Sequence, residues 1–150
     1  MPAGFSSQAM KLVIDTNVVL DLLVFQDART EALRKGLQSG QWQWIATPPM
    51  REELRHVLAY PHIAAKLFQA GLQGCDVLAR FDAWVSLESE TEKASYTCKD
   101  EDDQKFIDLA VAHQTALISK DKAILCMAKR LARLSVRVMS EVTPALSVTN

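Results

Sequence analysis

The chain is poor in the residues that build disulfide frameworks, zinc sites, phosphate-binding loops and membrane spans. Three cysteines, five prolines and five glycines occur in 150 residues. Cys75, Cys98 and Cys126 form no CxxC pair, and three thiols cannot all be bridged in one monomer, so we expect buried or free thiols in a reducing cytoplasm. No glycines form GxGxxG or GxxxxGK, and no apolar run approaches the roughly 20 residues that span a bilayer. We therefore predict a cytoplasmic protein with no membrane partner.

An excess of charge of one sign is also absent. Lys and Arg number 17 against 18 Asp and Glu, a net charge of −1, so no global positive field attracts nucleic acid. A nucleic-acid partner would need a local basic patch, or metal ions bridging it to acidic residues. With 49% hydrophobic residues, the chain has the composition and length of one globular domain. We assign residues 10–150 to that domain and residues 1–9, with Pro, Gly and two Ser, to a flexible N-terminal extension, which makes Met10 a candidate start.

Predicted strands alternate with predicted helices along the domain. The strands are residues 11–15, 42–46, 115–119 and 136–139. The helices are residues 17–25, 28–38, 48–60, 63–69, 76–87 and 121–132, together with one that begins at residues 100–103, and residues 88–98 form a loop with some extended structure. This alternation predicts an α/β fold with a parallel sheet flanked by helices.

Four acidic residues lie where strands end or helices begin: Asp15, Glu53, Asp103 and Asp121. Each alone suits an ordinary role as an N-cap or as a complement to the helix dipole. The carboxyl ends of parallel strands meet at one rim of a sheet, where four carboxylates would repel one another unless a cation lay between them. Oxygen ligands without paired His or Cys favour Mg²⁺ or Mn²⁺, and such a site is suited to phosphodiester hydrolysis.

The spacing of apolar residues selects one acid from each adjacent pair. Asp103 lies three, four and seven residues before Phe106, Ile107 and Ala110, whereas Asp102 shares a mixed helix face. Asp103 is therefore the better inward candidate, with the register open by one residue. By the same test Glu53, spaced to apolar positions, faces inward, and Glu52 faces solvent.

These segments resemble the PIN domain family. Val13-Ile14-Asp15-Thr16-Asn17 is similar to the family's opening motif, and Thr47-Pro48 leading to Glu53-Leu54 is similar to its second acidic helix. Residues 100–106 resemble the third motif and residues 117–121 the fourth. The resemblance covers roughly residues 11–144, and the third motif is most like the subgroup of toxins from toxin–antitoxin pairs.

The resemblance implies a three-layer α/β/α sandwich with a metal-dependent endoribonuclease site for single-stranded RNA. Asp15, Glu53, Asp103 and Asp121 would be catalytic and would bind Mg²⁺ or Mn²⁺. Asn17 and Ser119 would support them through hydrogen bonds to the carboxylates or to the scissile phosphate. A homodimer and an antitoxin protein that occupies the active groove are the partners implied.

Basic and aromatic residues near the predicted rim are weaker candidates for RNA contact. The basic ones are Lys105, Lys120, Lys122, Lys129 and Arg130, for which a solvated helix charge is the alternative. Trp42 and Trp44 are candidates to stack a base, and burial or dimer packing is their alternative.

Two other functions fit parts of the pattern. The first is a non-catalytic PIN-like module that binds RNA or regulates a partner, which the near-neutral charge favours. The second is a receiver-like signalling domain, but its acidic pair would follow the first strand, and here the acidic run lies at residues 100–103.

Overall fold

Five parallel strands form one sheet, one strand more than the four that the sequence predicts. The computed structural model describes residues 10–142, so the predicted extension at residues 1–9 and the end of the predicted domain lie outside the described residues. The strands are β1 (Met10–Ile14), β2 (Trp42–Ala46), β3 (Val85–Leu87), β4 (Ala116–Ile118) and β5 (Arg137–Met139). Their order is β3-β2-β1-β4-β5 and every pair is parallel. With its helices the sheet forms the three-layer α/β/α fold that was predicted.

The helices follow the strands in sequence. They are α1 (Thr16–Leu20), α2 (Glu31–Ser39), α3 (Pro48–Leu58), α4 (Pro61–Gln69), α5 (Gly74–Trp84), α6 (Glu101–His113), α7 (Lys122–Leu125) and α8 (Ala128–Ala132). A π-helical turn (Asp21–Phe25) extends α1, and a 3₁₀ turn (Ala28–Thr30) precedes α2. Within residues 10–142, no helix has the length and apolar character needed to cross a membrane.

The central strand β1 is apolar and fully enclosed. Leu12 and Val13 have no exposed surface, as expected for a strand covered on both faces. β1 lies between β2 and β4, with Ile14 in register with Ile118. The backbone N–H of Asp15 donates to the carbonyl of Ile118 at 2.9 Å. The residues that follow β1 and β4 therefore begin at neighbouring points of the same rim.

Two predicted helices have different bounds in the structure. The helix predicted over residues 76–87 is wrong at its end, because α5 stops at Trp84 and Val85 turns to an extended backbone. Residues 85–87 then pair with β2 and form hydrogen bonds with its backbone groups, which would otherwise be unpaired at the edge of the sheet. The helix predicted over residues 121–132 is two short helices, because the N–H of Met127 bonds to the carbonyl of Ile124, three residues back, and tightens the chain there.

Both tryptophans of β2 belong to the core. Trp42 is 3% exposed and Trp44 is 1% exposed, and the Trp44 ring meets Phe81 edge-on at 5.2 Å between ring centroids. A base cannot reach either indole face, so the stacking role proposed for them is wrong and the alternative of buried packing is confirmed. Helix α2 approaches Trp42 through Gly36, which is itself buried.

Candidate metal centre

Three of the four predicted acids converge at the carboxyl end of the sheet. Asp15 directly follows β1, Asp103 lies in the first turn of α6, and Asp121 immediately precedes α7. One carboxylate oxygen from each lies within 4.8 Å of the others. We call these three residues the aspartate cluster. Asp15 and Asp103 are 3% and 6% exposed, and Asp121 is partly buried.

Local hydrogen bonds at the helix starts position the cluster. The Asp121 carboxylate accepts from the N–H of Ala123 at 2.9 Å and so caps α7. The Asp100 carboxylate accepts from the N–H of Asp102 at 2.9 Å and caps α6. With this start, Asp103 faces inward and Asp102 is exposed, as the spacing of the apolar residues indicates.

Ser119 links two members of the cluster. Its hydroxyl donates to Oδ2 of Asp15 at 2.7 Å and accepts from the backbone N–H of Asp121 at 3.0 Å. The residue has no exposed surface, so the serine hydroxyl is committed to holding the carboxylates in place. Asn17 is exposed at the same rim, and within the described part of the chain its side chain makes no hydrogen bond to the cluster. Its backbone N–H lies close enough to lower the pKa of Asp15.

Two of the cluster carboxylates, those of Asp15 and Asp103, hold protons more tightly than ordinary acids do. Burial is the main cause that raises the pKa of Asp15, and the Ser119 hydrogen bond opposes it. Burial also raises the pKa of Asp103, to about 8, and the neighbouring Asp121 and Asp15 carboxylates add to the effect. Without a cation, the folded protein therefore favours a protonated Asp103 at neutral pH.

The arrangement of oxygens fits a six-coordinate divalent ion. Oδ2 of Asp103 is buried and has no hydrogen-bond partner in the described part of the chain, which is costly unless something binds it. Mg²⁺ binds oxygen at about 2.1 Å in octahedral geometry, so its ligands lie between about 3 and 4.2 Å apart. The 4.8 Å limit on the cluster oxygens accommodates that range with small adjustments of the side chains. Three carboxylates without nitrogen or sulfur donors suit Mg²⁺ or Mn²⁺.

Glu53, the fourth predicted acid, is not a member of the aspartate cluster. It lies on α3 beside the rim, and both of its carboxylate oxygens are engaged. Oε2 accepts from the Thr16 hydroxyl at 2.5 Å, and Oε1 forms an ion pair with Nζ of Lys105. Glu52, its neighbour, faces solvent and pairs with Arg55 and His56.

Two of the four lysines predicted to contact RNA already pair with acids. Lys105 pairs with Glu53, and Lys120 pairs with the carboxylate of Asp21 at 2.5 Å. Lys122 is exposed, and no acid of the described residues forms an ion pair with it. Lys129, the fourth candidate, is also exposed and forms no ion pair with an acid of residues 10–142.

Sequence reasoning overlooked several residues that shape the rim. Asp21 is 8% exposed. It is the one charged residue in the apolar run at residues 18–25, and that position could have identified it from the sequence. For Thr16, the sequence offers no signal other than its position after Asp15. Gln104 accepts from the N–H of Cys98 at 2.6 Å and donates to the Tyr96 carbonyl at 3.1 Å. These bonds hold the preceding loop against α6, and no periodicity in the sequence predicts them.

The raised pKa of Asp103 predicts that metal-free protein is less stable in alkali. The folded pKa of about 8 lies above the ordinary value of 3.8, so the folded state binds this proton more tightly than the unfolded state. The contribution of this proton to the free energy of unfolding is fully present below pH 3.8 and is lost as the pH rises through 8. In EDTA we expect the free energy of unfolding to fall by about 1–2 kcal/mol between pH 6.5 and pH 9. Urea unfolding checks this, and an increase would contradict the electrostatics of the cluster.

Comparison with known proteins agrees with the fold. The family model of the PIN domain matches residues 11–123. A comparison with curated proteins finds no match. PIN domains are generally nucleases and typically depend on a divalent metal ion. Because the match spans most of the sequence, and includes all of the elements that carry the aspartate cluster, the chain belongs to the PIN domain family.

Proposed function

We propose that this protein is a divalent-metal-dependent endoribonuclease that cleaves single-stranded RNA. The observation that carries the proposal is the unpartnered, buried oxygen of Asp103 inside a cluster of three carboxylates. A cluster of this kind is unfavourable without a cation, and the PIN fold is generally a nuclease fold. The membership of Asp15, Asp103 and Asp121 in the metal site is part of the proposal.

The side chains of the rim hold the carboxylates ready for an ion. Ser119 fixes the orientation of Asp15, and the cap on α7 fixes Asp121. Neither bond has to form during the reaction, so the site is preorganised. The bound ion would lower the pKa of a water molecule and neutralise charge on the phosphate.

Substrate approach is limited by the acidic charge of the rim. Three carboxylates repel a phosphodiester unless a cation offsets them, so we expect RNA binding to depend on the metal ion. Lys122 is exposed, follows Asp121 directly and has no ion pair among the described residues, so we expect it to contact a phosphate next to the cluster. This contact would be sensitive to salt, as phosphate contacts are.

Cleavage of a fluorescent single-stranded RNA tests the proposal. We expect cleavage with Mg²⁺ or Mn²⁺, none in EDTA, and recovery when excess metal is added. Asp15→Asn should lower the rate by about 100-fold or more, since it removes a charge at the ion. The matched control is Asp102→Asn, an exposed acid at the same rim, which should keep the wild-type rate. Cleavage that survives both EDTA and Asp15→Asn would overturn the proposal, and metal-independent RNA binding without cleavage would favour the non-catalytic module.

The partners implied by the family resemblance extend the proposal. A toxin of this class would be silenced by an antitoxin and would form a homodimer. The exposed aromatic side chains of Phe68 and Tyr60, at 84% and 50% exposure, support a protein contact near α4, because large apolar groups favour burial. Light scattering of the purified protein measures the oligomeric state, and a monomer at all concentrations would contradict the dimer.

A further inference from the structure

The four predicted acids separate into two electrostatic groups. Within residues 10–142, no cation contacts the three carboxylates of the aspartate cluster, and one of their oxygens has no hydrogen-bond partner. Glu53 has a cation and a hydroxyl on its two oxygens. The first group therefore lacks a positive charge, and the second already has one.

Lys105 is held tightly between Glu53 and the start of α6. Its Nζ pairs with Oε1 of Glu53 and also donates to the carbonyl of Asp102 at 2.5 Å. The side chains of Lys105 and Glu53 are each 26% exposed, so the pair is largely shielded from water and is stronger than a surface ion pair. Lys105 also lies over the Phe106 ring, 5.1 Å from its centroid, which adds to the attraction.

Thr16 holds Glu53 from the other side. The hydroxyl that donates to Oε2 belongs to the residue directly after Asp15, so Glu53 lies beside the cluster and yet is turned to other partners. Each Glu53 oxygen accepts one contact and keeps a lone pair, so these contacts alone do not exclude a metal ion. The Lys105 ammonium in contact with Oε1, however, repels a second cation at that carboxylate.

We propose that Lys105 is a built-in counter-cation for Glu53, so that the site binds one divalent ion on the three aspartates and not two ions on four carboxylates. The inference rests on the proposed function, since it describes the metal content of that site. Lys105 is a positioning residue here, because it acts through Glu53 and not on the substrate.

Counting bound Mn²⁺ by calorimetry and by electron paramagnetic resonance tests the inference without any cleavage assay. We expect one ion per wild-type chain. Glu53→Gln should change the affinity of the protein for this ion by less than about threefold. Loss of a residue that merely supports a metal ligand costs 10–100-fold in metal affinity, and loss of a direct ligand costs at least as much. A wild-type count of two, or a loss of affinity above tenfold in Glu53→Gln, would overturn the inference.

Lys105→Gln provides a second test because it removes the charge and keeps the length of the side chain nearly the same. With Glu53 released, we expect a second Mn²⁺ to bind, and the double variant Lys105→Gln with Glu53→Gln should return the count to one. Lys66→Gln, which changes an exposed lysine of α4, is the control and should bind one ion. A count of one in Lys105→Gln would overturn the inference.

The outcomes separate this inference from the proposed function. Wild-type protein that binds two ions and cleaves RNA would leave the nuclease proposal intact and end the Lys105 inference. Wild-type protein that binds no Mn²⁺ would end both. Thermal unfolding of each variant measures folding in parallel, and a merely structural role for Lys105 would lower the melting temperature without changing the ion count.

Discussion

Asp103→Asn is expected to make the metal-free protein more stable and to abolish metal-dependent cleavage. The carboxylate of Asp103 is buried beside two other acids, and burial first, then the neighbouring carboxylates, raise its pKa to about 8. The amide is neutral and nearly the same size, so the free energy of unfolding in EDTA at pH 9 should rise by about 1–2 kcal/mol. The variant should lose the thermal stabilisation by Mn²⁺, and its cleavage rate should fall by about 10³-fold, which corresponds to roughly 4 kcal/mol.

Asp102→Asn is the control for this result because it changes the adjacent, exposed residue of the same helix turn. It should leave the stability, the shift by Mn²⁺ and the cleavage rate close to those of the wild type. Thermal unfolding with and without Mn²⁺, at pH 6.5 and pH 9, measures the stability and its shift by Mn²⁺. The RNA cleavage assay measures the rate. A metal-free Asp103→Asn protein less stable than the wild type at pH 9 would contradict the electrostatic description of the cluster.

Gly36→Ala is expected to destabilise the fold by about 3 kcal/mol, at the upper end of what overpacking costs. A Cβ at this position would lie 1.9 Å from Cδ1 and 2.4 Å from Nε1 of Trp42. Trp42 is 97% buried in the core, so its indole has no free space into which to move. The expected loss is therefore opposite in sign to the gain of about 1 kcal/mol that alanine normally brings to a helix interior.

Gly74→Ala is the matched control, since its Cβ would lie 3.7 Å from Cβ of Leu58, an ordinary contact. We expect a neutral effect or a gain of up to about 1 kcal/mol, because alanine restricts the unfolded chain. Urea unfolding at pH 7 compares the two variants. A Gly36→Ala protein as stable as the wild type would contradict the close packing of α2 on β2.

The parts of the site that follow from local patterns could be predicted from the sequence. A continuous apolar run before Asp15 indicated a buried parallel strand, and parallel strands gather their following residues at one rim. The apolar spacing in α6 indicated Asp103 over Asp102. Ser119 entered the set of supporting residues through the family resemblance, and the structure places its hydroxyl on Asp15.

The parts that depend on distant partners could not be predicted. The ion pair of Lys105 with Glu53 joins residues 52 positions apart, and no spacing rule connects α6 with α3. Strand β3 has three residues, too few to show a period of two, so it was merged with the helix before it. Trp42 and Trp44 alternate with Gln43 in a way that fits an exposed face as well as a buried one, and only the packing of α2 and α5 decides between them.

The aspartate cluster draws on positions 15, 103 and 121 of the chain, and β4 inserts beside β1 only after α6 has been made. A nascent polypeptide that ends before residue 121 therefore lacks at least one of the three acids. For the proposed ribonuclease, translation would have to pass residue 121 before the growing product could cleave its own message. Fragments terminated before that residue would lack a complete metal site.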